Sequence, residues 1–165
     1  MWSWDRRVLP LALPACLLGC SFFVPDVRTA AERARQLEPK CRGISEDGAA
    51  AILAGNATDS VEPAHVYTMG GPNGREAHLR GAELHLRPLP VGSREALARS
   101  LECHEARTVL ASGAPRPDDP FVLPGSWVSI AVESAGDGLV VIVTSEDLGD
   151  ARRILERSQA LAARH

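Results

Sequence analysis

The chain has 165 residues, with 18 Lys and Arg against 21 Asp and Glu and a formal net charge of −3. That length serves one domain with one core. The mild acidity excludes a nucleic-acid-binding role, which needs a clustered basic face to displace counterions from phosphates. Aromatic residues make up 4%, too few for the stacking platforms that carbohydrate and single-stranded nucleic-acid sites rely on.

Arg6 and Arg7 precede an apolar run from Val8 to Gly19. The run falls short of the about 20 residues a helix needs to cross a bilayer core. Pro10 and Pro14 would also remove backbone donors from such a helix. A basic start, a short apolar centre and a small residue at the end describe a secretory signal. Length and flanks disfavour a buried N-terminal helix. Arg6-Arg7 faintly matches a twin-arginine signal, but Asp5, Leu9 and Pro10 depart from it, so general secretion fits better.

Leu17-Leu18-Gly19-Cys20 resembles the lipobox of bacterial lipoproteins: aliphatic, variable, small, then cysteine. The resemblance implies a signal peptide over 1–19 that is cut before Cys20. Cys20 would then carry diacylglycerol on its thiol and an acyl group on its new amino terminus, with 20–25 as a lipidated tether. Ser21 at the next position resembles Gram-negative lipoproteins sorted to the outer membrane, with the domain on the periplasmic face. Each buried CH₂ adds about 0.8 kcal/mol, so two or more acyl chains anchor stably where one does not. The competing possibility is an ordinary signal peptide cut nearby. Export would place Cys41 and Cys103 in an oxidising space, where paired thiols tend to bridge. Closing a loop of that length stabilises a fold by about 4 kcal/mol. Two buried, unpaired thiols packing as small hydrophobes are the alternative.

Residues 26–60 form an N-terminal helical segment. Asp26 can cap a helix from Val27 to about Leu37, ended by Glu38-Pro39. Ser45 can cap a second helix through Ala54, stopped by Gly55-Asn56 and weakened by Gly48. An α+β domain then occupies 61–165. His65–Met69 and Arg75–Leu79 form a hairpin around a glycine-rich turn, with Tyr67 opposite His78 if the turn centres on Pro72-Asn73. Ala82, Leu84 and Leu86 alternate with Glu83, His85 and Arg87, which gives a strand with one wet face. Gly81 marks a bulge, and Pro88 and Pro90 end the strand.

Ser93 caps a helix from Arg94 to about Leu110, whose narrow stripe is Leu97, Leu101, His104 and Thr108. A loop over 111–125 is stiffened by four prolines. Trp127–Glu133 and Leu139–Thr144 form a second hairpin, and the latter strand, apolar on both faces, should be central. Ser145 or Asp147 caps a last helix striped by Leu148, Ala151, Ile154, Leu155, Ser158 and Leu161. The order implies an α+β fold, a mainly antiparallel sheet with helices on one face. Residues 82–161 read β-α-β-β-α, five of the six elements of a ferredoxin-like fold.

The string ECHEAR, from Glu102 to Arg107, carries the most chemistry. His104-Glu105 begins as a helical zinc motif would, but position 108 is Thr where a second histidine is required. Cys103 and His104 are about 100° apart on a helix, so they cannot clasp a metal alone. His78 or His85 would have to complete a site, which leaves His78, Cys103 and His104 as weak metal candidates. A core histidine, neutral and hydrogen-bonded across the stripe, is the favoured alternative for His104. His65, Met69, His78 and His85 are copper-type donors close in sequence, yet alternation leaves His85 on the solvated face and Met69 suits packing. Cys103 and His104 point in the wrong directions for a nucleophile and its base, and no nucleophile elbow appears. Asp118-Asp119 reads as a solvated turn, and neither GPNG nor GDG leads into a phosphate-binding helix N-terminus.

The layout RGAELHLRPLPVGS, then CH, then GDGLVVIVTSEDLGDARRIL resembles exported bacterial proteins of unknown function over 61–161 and implies no activity. The expectation is therefore a non-enzymatic periplasmic lipoprotein without a cofactor, bound to the bilayer through acylated Cys20. Its domain would bind an envelope protein or another envelope component. A periplasmic copper- or zinc-binding protein and a small hydrolase are the alternatives.

Overall fold

The computed structural model describes residues 28–55, 57–69, 74–88, 93–111 and 115–164. The expected signal peptide over 1–19, Cys20 and the expected tether lie outside them. Among the described residues no helix is long and apolar enough to cross a membrane.

Helix α1 (Ala30–Leu37) starts later than Asp26 would dictate, because Thr29 is the cap. Thr29 Oγ1 accepts from the Glu32 amide at 3.2 Å, and Glu32 Oε2 accepts from the Thr29 amide at 2.7 Å. This reciprocal pair satisfies two amides that a helix start leaves open. Pro39 does not break the chain away. It sits in the first turn of a 3₁₀ segment, Glu38–Cys41, where its missing donor is harmless. Helix α2 (Asp47–Leu53) has Glu46 at its cap without a side-chain bond, while Ser45 Oγ accepts from the Asp47 amide at 3.1 Å. Gly48 is there for contact: a Cβ would stand 2.9 Å from Leu97 Cδ1.

Strands β1 (Thr58–Met69) and β2 (Arg75–Leu86) follow, then α3 (Arg94–Leu110), β3 (Ser129–Ala135), β4 (Gly138–Thr144) and α4 (Leu148–Ala162). β1 thus begins inside the segment expected to be helical. Ser93 caps α3 and Asp147 caps α4, each accepting from the amide three residues on. The four strands form one antiparallel sheet in the order β1-β2-β4-β3. The expected β-α-β-β-α order is present, with β2 and β3 parallel and separated by β4. β1 adds the fourth strand from the N-terminal side.

Alternation decides which face is covered. Leu84, Val141 and Val132 lie in register across the sheet, as do Ala82, Val143 and Ile130. They meet Leu97 and Leu101 of α3, Ile154 and Leu161 of α4, and Phe121, Leu123 and Val128 from the loop between. Helices α1 and α2 lie against α3, and Ile52 of α2 joins the same core. Each such side chain contributes about 1.5–3 kcal/mol when fully buried. The opposite face has its own row, Ser60, His85, Val140 and Glu133. His85 is half-buried there rather than solvated, and its Nε2 is buried with no hydrogen-bond partner among the described residues.

The bulge falls where expected. Ala64 pairs with Gly81 and His65 with Leu79, leaving Arg80 as the extra residue. Gly81 has φ +153°, and a Cβ on it would stand 1.9 Å from the Val143 carbonyl oxygen. Beyond this point β1 and β2 continue only with each other, as a two-stranded ribbon of His65–Met69 and Arg75–Leu79. Its register differs by one residue from the expectation: Tyr67 faces Ala77, and Val66 faces His78. Arg80 fastens the ribbon's base. Its carbonyl accepts from the Ser145 amide at 2.8 Å, and its guanidinium bonds the Glu146 carboxylate at 2.5 Å.

Gly81→Ala should destabilise the protein by about 2–4 kcal/mol, combining backbone strain with overpacking. Denaturant unfolding with the disulfide intact measures this, and an unchanged midpoint would mean the strand rearranges freely.

Candidate functional site

Helix α3 is where chemistry-bearing residues gather. Cys103 is bonded to Cys41 with a Cα–Cα distance of 5.4 Å, across a sequence separation of 62. The next residue is less apolar in setting than its helical stripe suggests. The buried face of α3 consists of Leu97, Ser100, Leu101, Cys103, Glu105 and Ala106, so His104 and Thr108 stand at its margin.

His104 lies between two carboxylates. Its Nε2 is 2.7 Å from Asp119 Oδ2, and its Nδ1 is 3.7 Å from Glu46 Oε2. Burial opposes a charge on the ring, but the Asp119 hydrogen bond and the charges of Asp119 and Glu46 prevail, raising its pKa above the ordinary value. The ring is hydrogen-bonded to Asp119, and these two carboxylates favour its charged form more than water does. Asp119 corrects the expectation of a solvated turn residue, since it is buried. Its Oδ1 accepts from the Phe121 amide at 2.9 Å, and its carbonyl accepts from Arg157 Nη1 at 2.9 Å. Asp118 is held by Arg116 and Arg164, which keep its carboxyl below the usual range against the opposing effect of burial.

Arg107 extends the network one turn further. It bonds Glu46 Oε1 at 2.6 Å and the carbonyls of Cys41 and Ile44 at 2.7 and 3.1 Å. The whole set fastens α3 to the 3₁₀ segment, the start of α2, the 115–125 loop and α4. Both ring nitrogens of His104 face carboxylates, and the Cys103 sulfur is already bonded to Cys41.

The three metal candidates are not brought together. Cys103 is in the disulfide, His104 is among the helices, and His78 is on the ribbon, its Nε2 3.0 Å from Thr68 Oγ1. Among the described residues no group of three or more His, Cys, Asp or Glu could hold a metal ion.

Glu105 is the residue that the pattern undersold. It is 1% exposed, and Oε1 accepts from the Val128 amide at 2.9 Å. Burial pushes its pKa up to about 9, so it is a neutral acid at pH 7. It lines a cleft of about 330 Å³ with Arg28, Arg33, Lys40, Glu102 and Trp127. The only sequence signal was its spacing of four residues from Leu101 and eight from Leu97, which puts it on the buried stripe.

The remaining surface feature is apolar. Val66, Tyr67, Met69 and Leu148 are exposed large hydrophobic residues, and three of them are on the ribbon. Val66 and Leu148 line a groove of about 490 Å³ between the ribbon and the start of α4, together with Thr68, His78, Arg80 and Glu146.

No family model, curated protein or solved structure matches the chain.

In the unfolded chain Glu105 ionises near pH 4.5, whereas in the fold it keeps its proton to about pH 9. Unfolding then releases a proton, so stability falls as pH rises through that window. The His104 contribution runs the same way, being full below the ordinary pKa of 6.5 and lost as pH rises through the higher folded value. The protein should be more stable at pH 5 than at pH 8. Glu105→Gln, which keeps the acceptor for Val128, should raise stability at pH 8 by about 2–4 kcal/mol and change little near pH 4.5. Denaturant midpoints at both pH values check this, and equal effects at both would mean Glu105 is ionised in the fold.

Proposed function

We propose that the chain is exported, acylated on Cys20 and held at the periplasmic face of the outer membrane, where the domain serves as a non-enzymatic binding module. The run Leu17-Leu18-Gly19-Cys20, which resembles a lipobox behind a short apolar stretch, carries this reading. Cys41 and Cys103 are bonded to each other, which leaves Cys20 free to be acylated. A disulfide also suits an oxidising compartment. Acylation at two positions would hold the domain firmly without a spanning helix.

The binding role is supported by what the domain displays. His104 is committed to Asp119 and Glu46, whereas the ribbon presents apolar side chains to solvent. Uncovered apolar groups of this kind mark interaction surfaces. The partner is an envelope component.

Mass spectrometry of protein extracted from membranes should find an N-terminal peptide that starts at Cys20 and carries diacylglycerol and acyl masses. Cys20→Ala should abolish lipid labelling and leave the precursor uncut at that bond. An unmodified mature chain starting downstream of Cys20 overturns the proposal.

A further inference from the structure

We infer that the β1–β2 ribbon is a second membrane contact, dipping Tyr67 and Met69 into the interface of the bilayer that holds Cys20. The inference rests on the anchor proposed above, and three observations carry it.

The first is composition by face. Val66 and Thr68 oppose His78 and Glu76, whereas Tyr67 and Met69 oppose Ala77 and Arg75. One side of the ribbon therefore displays His65, Tyr67, Met69, Ala77, Leu79 and Arg75, without an acidic side chain in a chain of net negative charge. Met69 is 89% exposed and Tyr67 60%. A two-stranded ribbon has no second layer in which to bury them.

The second is the pairing of residue types. The Arg75 guanidinium stands 5.5 Å from the centroid of the Tyr67 ring. An amphipathic ring beside a cation on a long apolar stem suits the headgroup level, while an unbranched thioether suits the acyl boundary.

The third is direction. The ribbon leaves the sheet at Gly81, which pairs with Thr144, which in turn pairs with Ser129. Arg28, Thr29 and Ala30 line a cleft with Ser129, Thr144, Ser145 and Glu146, so the chain enters the fold at that same end. Cys20 is eight residues before Arg28, a reach of at most roughly 28 Å when fully extended. The tether therefore brings this end of the sheet towards the bilayer. A surface tethered so closely meets the membrane at high effective concentration, so a small apolar patch is enough. The lipid surface is favoured over a protein partner for that reason.

The experiment uses the acylated full chain in vesicles of phosphatidylethanolamine with a minor fraction of phosphatidylglycerol. In Met69→Cys the introduced thiol is the free one, and it takes an environment-sensitive fluorophore. Asp137→Cys, in the β3–β4 turn at the other end of the sheet, is the control. Label at 69 should show a blue-shifted spectrum and be quenched at least about twofold by nitroxide lipids, while label at 137 should show neither effect. Adding Tyr67→Ser should weaken the quenching at 69. Acylation of Cys20 is read by mass in the same sample, so the two proposals fail separately. A water-like spectrum at 69 in an acylated, vesicle-bound chain overturns the ribbon contact and spares the anchor. A blue shift without lipid quenching means a protein or a second copy covers the ribbon, and also overturns it. An unacylated Cys20 overturns the anchor reading instead. Because Met69 is almost wholly exposed, its substitution leaves the fold intact, which the denaturation midpoint checks.

Discussion

The bond between Cys41 and Cys103 fixes where the N-terminal segment sits, and the adjoining turn of α3 reinforces that position. Arg107 bonds the Cys41 carbonyl, so the bridge and a charged hydrogen bond act on the same residue from opposite chemical directions. His104 takes hold of Asp119 and so positions the long loop beneath α3. Glu105 takes the Val128 amide at the loop's far end. Within five residues the helix gathers a covalent tie, an ion pair, a neutral acid and a guanidinium. None of these depends on its neighbours in sequence for a partner. An unpaired buried charge costs several kcal/mol, so such a helix tolerates one arrangement of the chain around it.

That clustering also separates scaffold from display. The polar groups of this turn hold the 3₁₀ segment, the start of α2 and the loop against α3. Among the described residues the sheet receives helices on one face, and β1 and β2 outrun the other strands past Gly81. The extra residue at Arg80 is secured to Ser145 and Glu146, so the ribbon has a fixed root while its side chains beyond it are exposed. Rigidity at the base and apolar exposure beyond it are the properties a presenting element needs.

Much of the fold was legible because its causes are local. Ser93 before Arg94, Gly81 between two alternating stretches and the twice-apolar strand at Leu139–Thr144 each announce their structure within a few residues. Register was harder. The off-by-one pairing of Tyr67 is a matter of hairpin register, which residue types constrain only loosely. The site residues were least legible. Asp119 looks like a turn residue because His104 and Arg157, which bury it usefully, are 15 and 38 positions away. The carboxylates around His104 are hidden for the same reason, since Glu46 arrives from a different helix start. Glu105 was left off the expected stripe, although it stands four residues from Leu101, because an acid there reads as a misfit until the Val128 amide is seen beside it.

The disulfide closes a covalent ring from residue 41 to residue 103, and the whole of β1 and β2 lies within it. The exposed residues Val66, Tyr67 and Met69 are therefore inside the ring. If a peptide bond of the ribbon were cut, the segment leading to Cys20 would stay joined to α3 through sulfur. A cut in the β3–β4 turn, outside the ring, has no such safeguard and leaves β4 and α4 held by noncovalent contacts alone. The fold thus places its vulnerable arm where a nick does not sever the domain from the piece that precedes it, for as long as the surroundings remain oxidising.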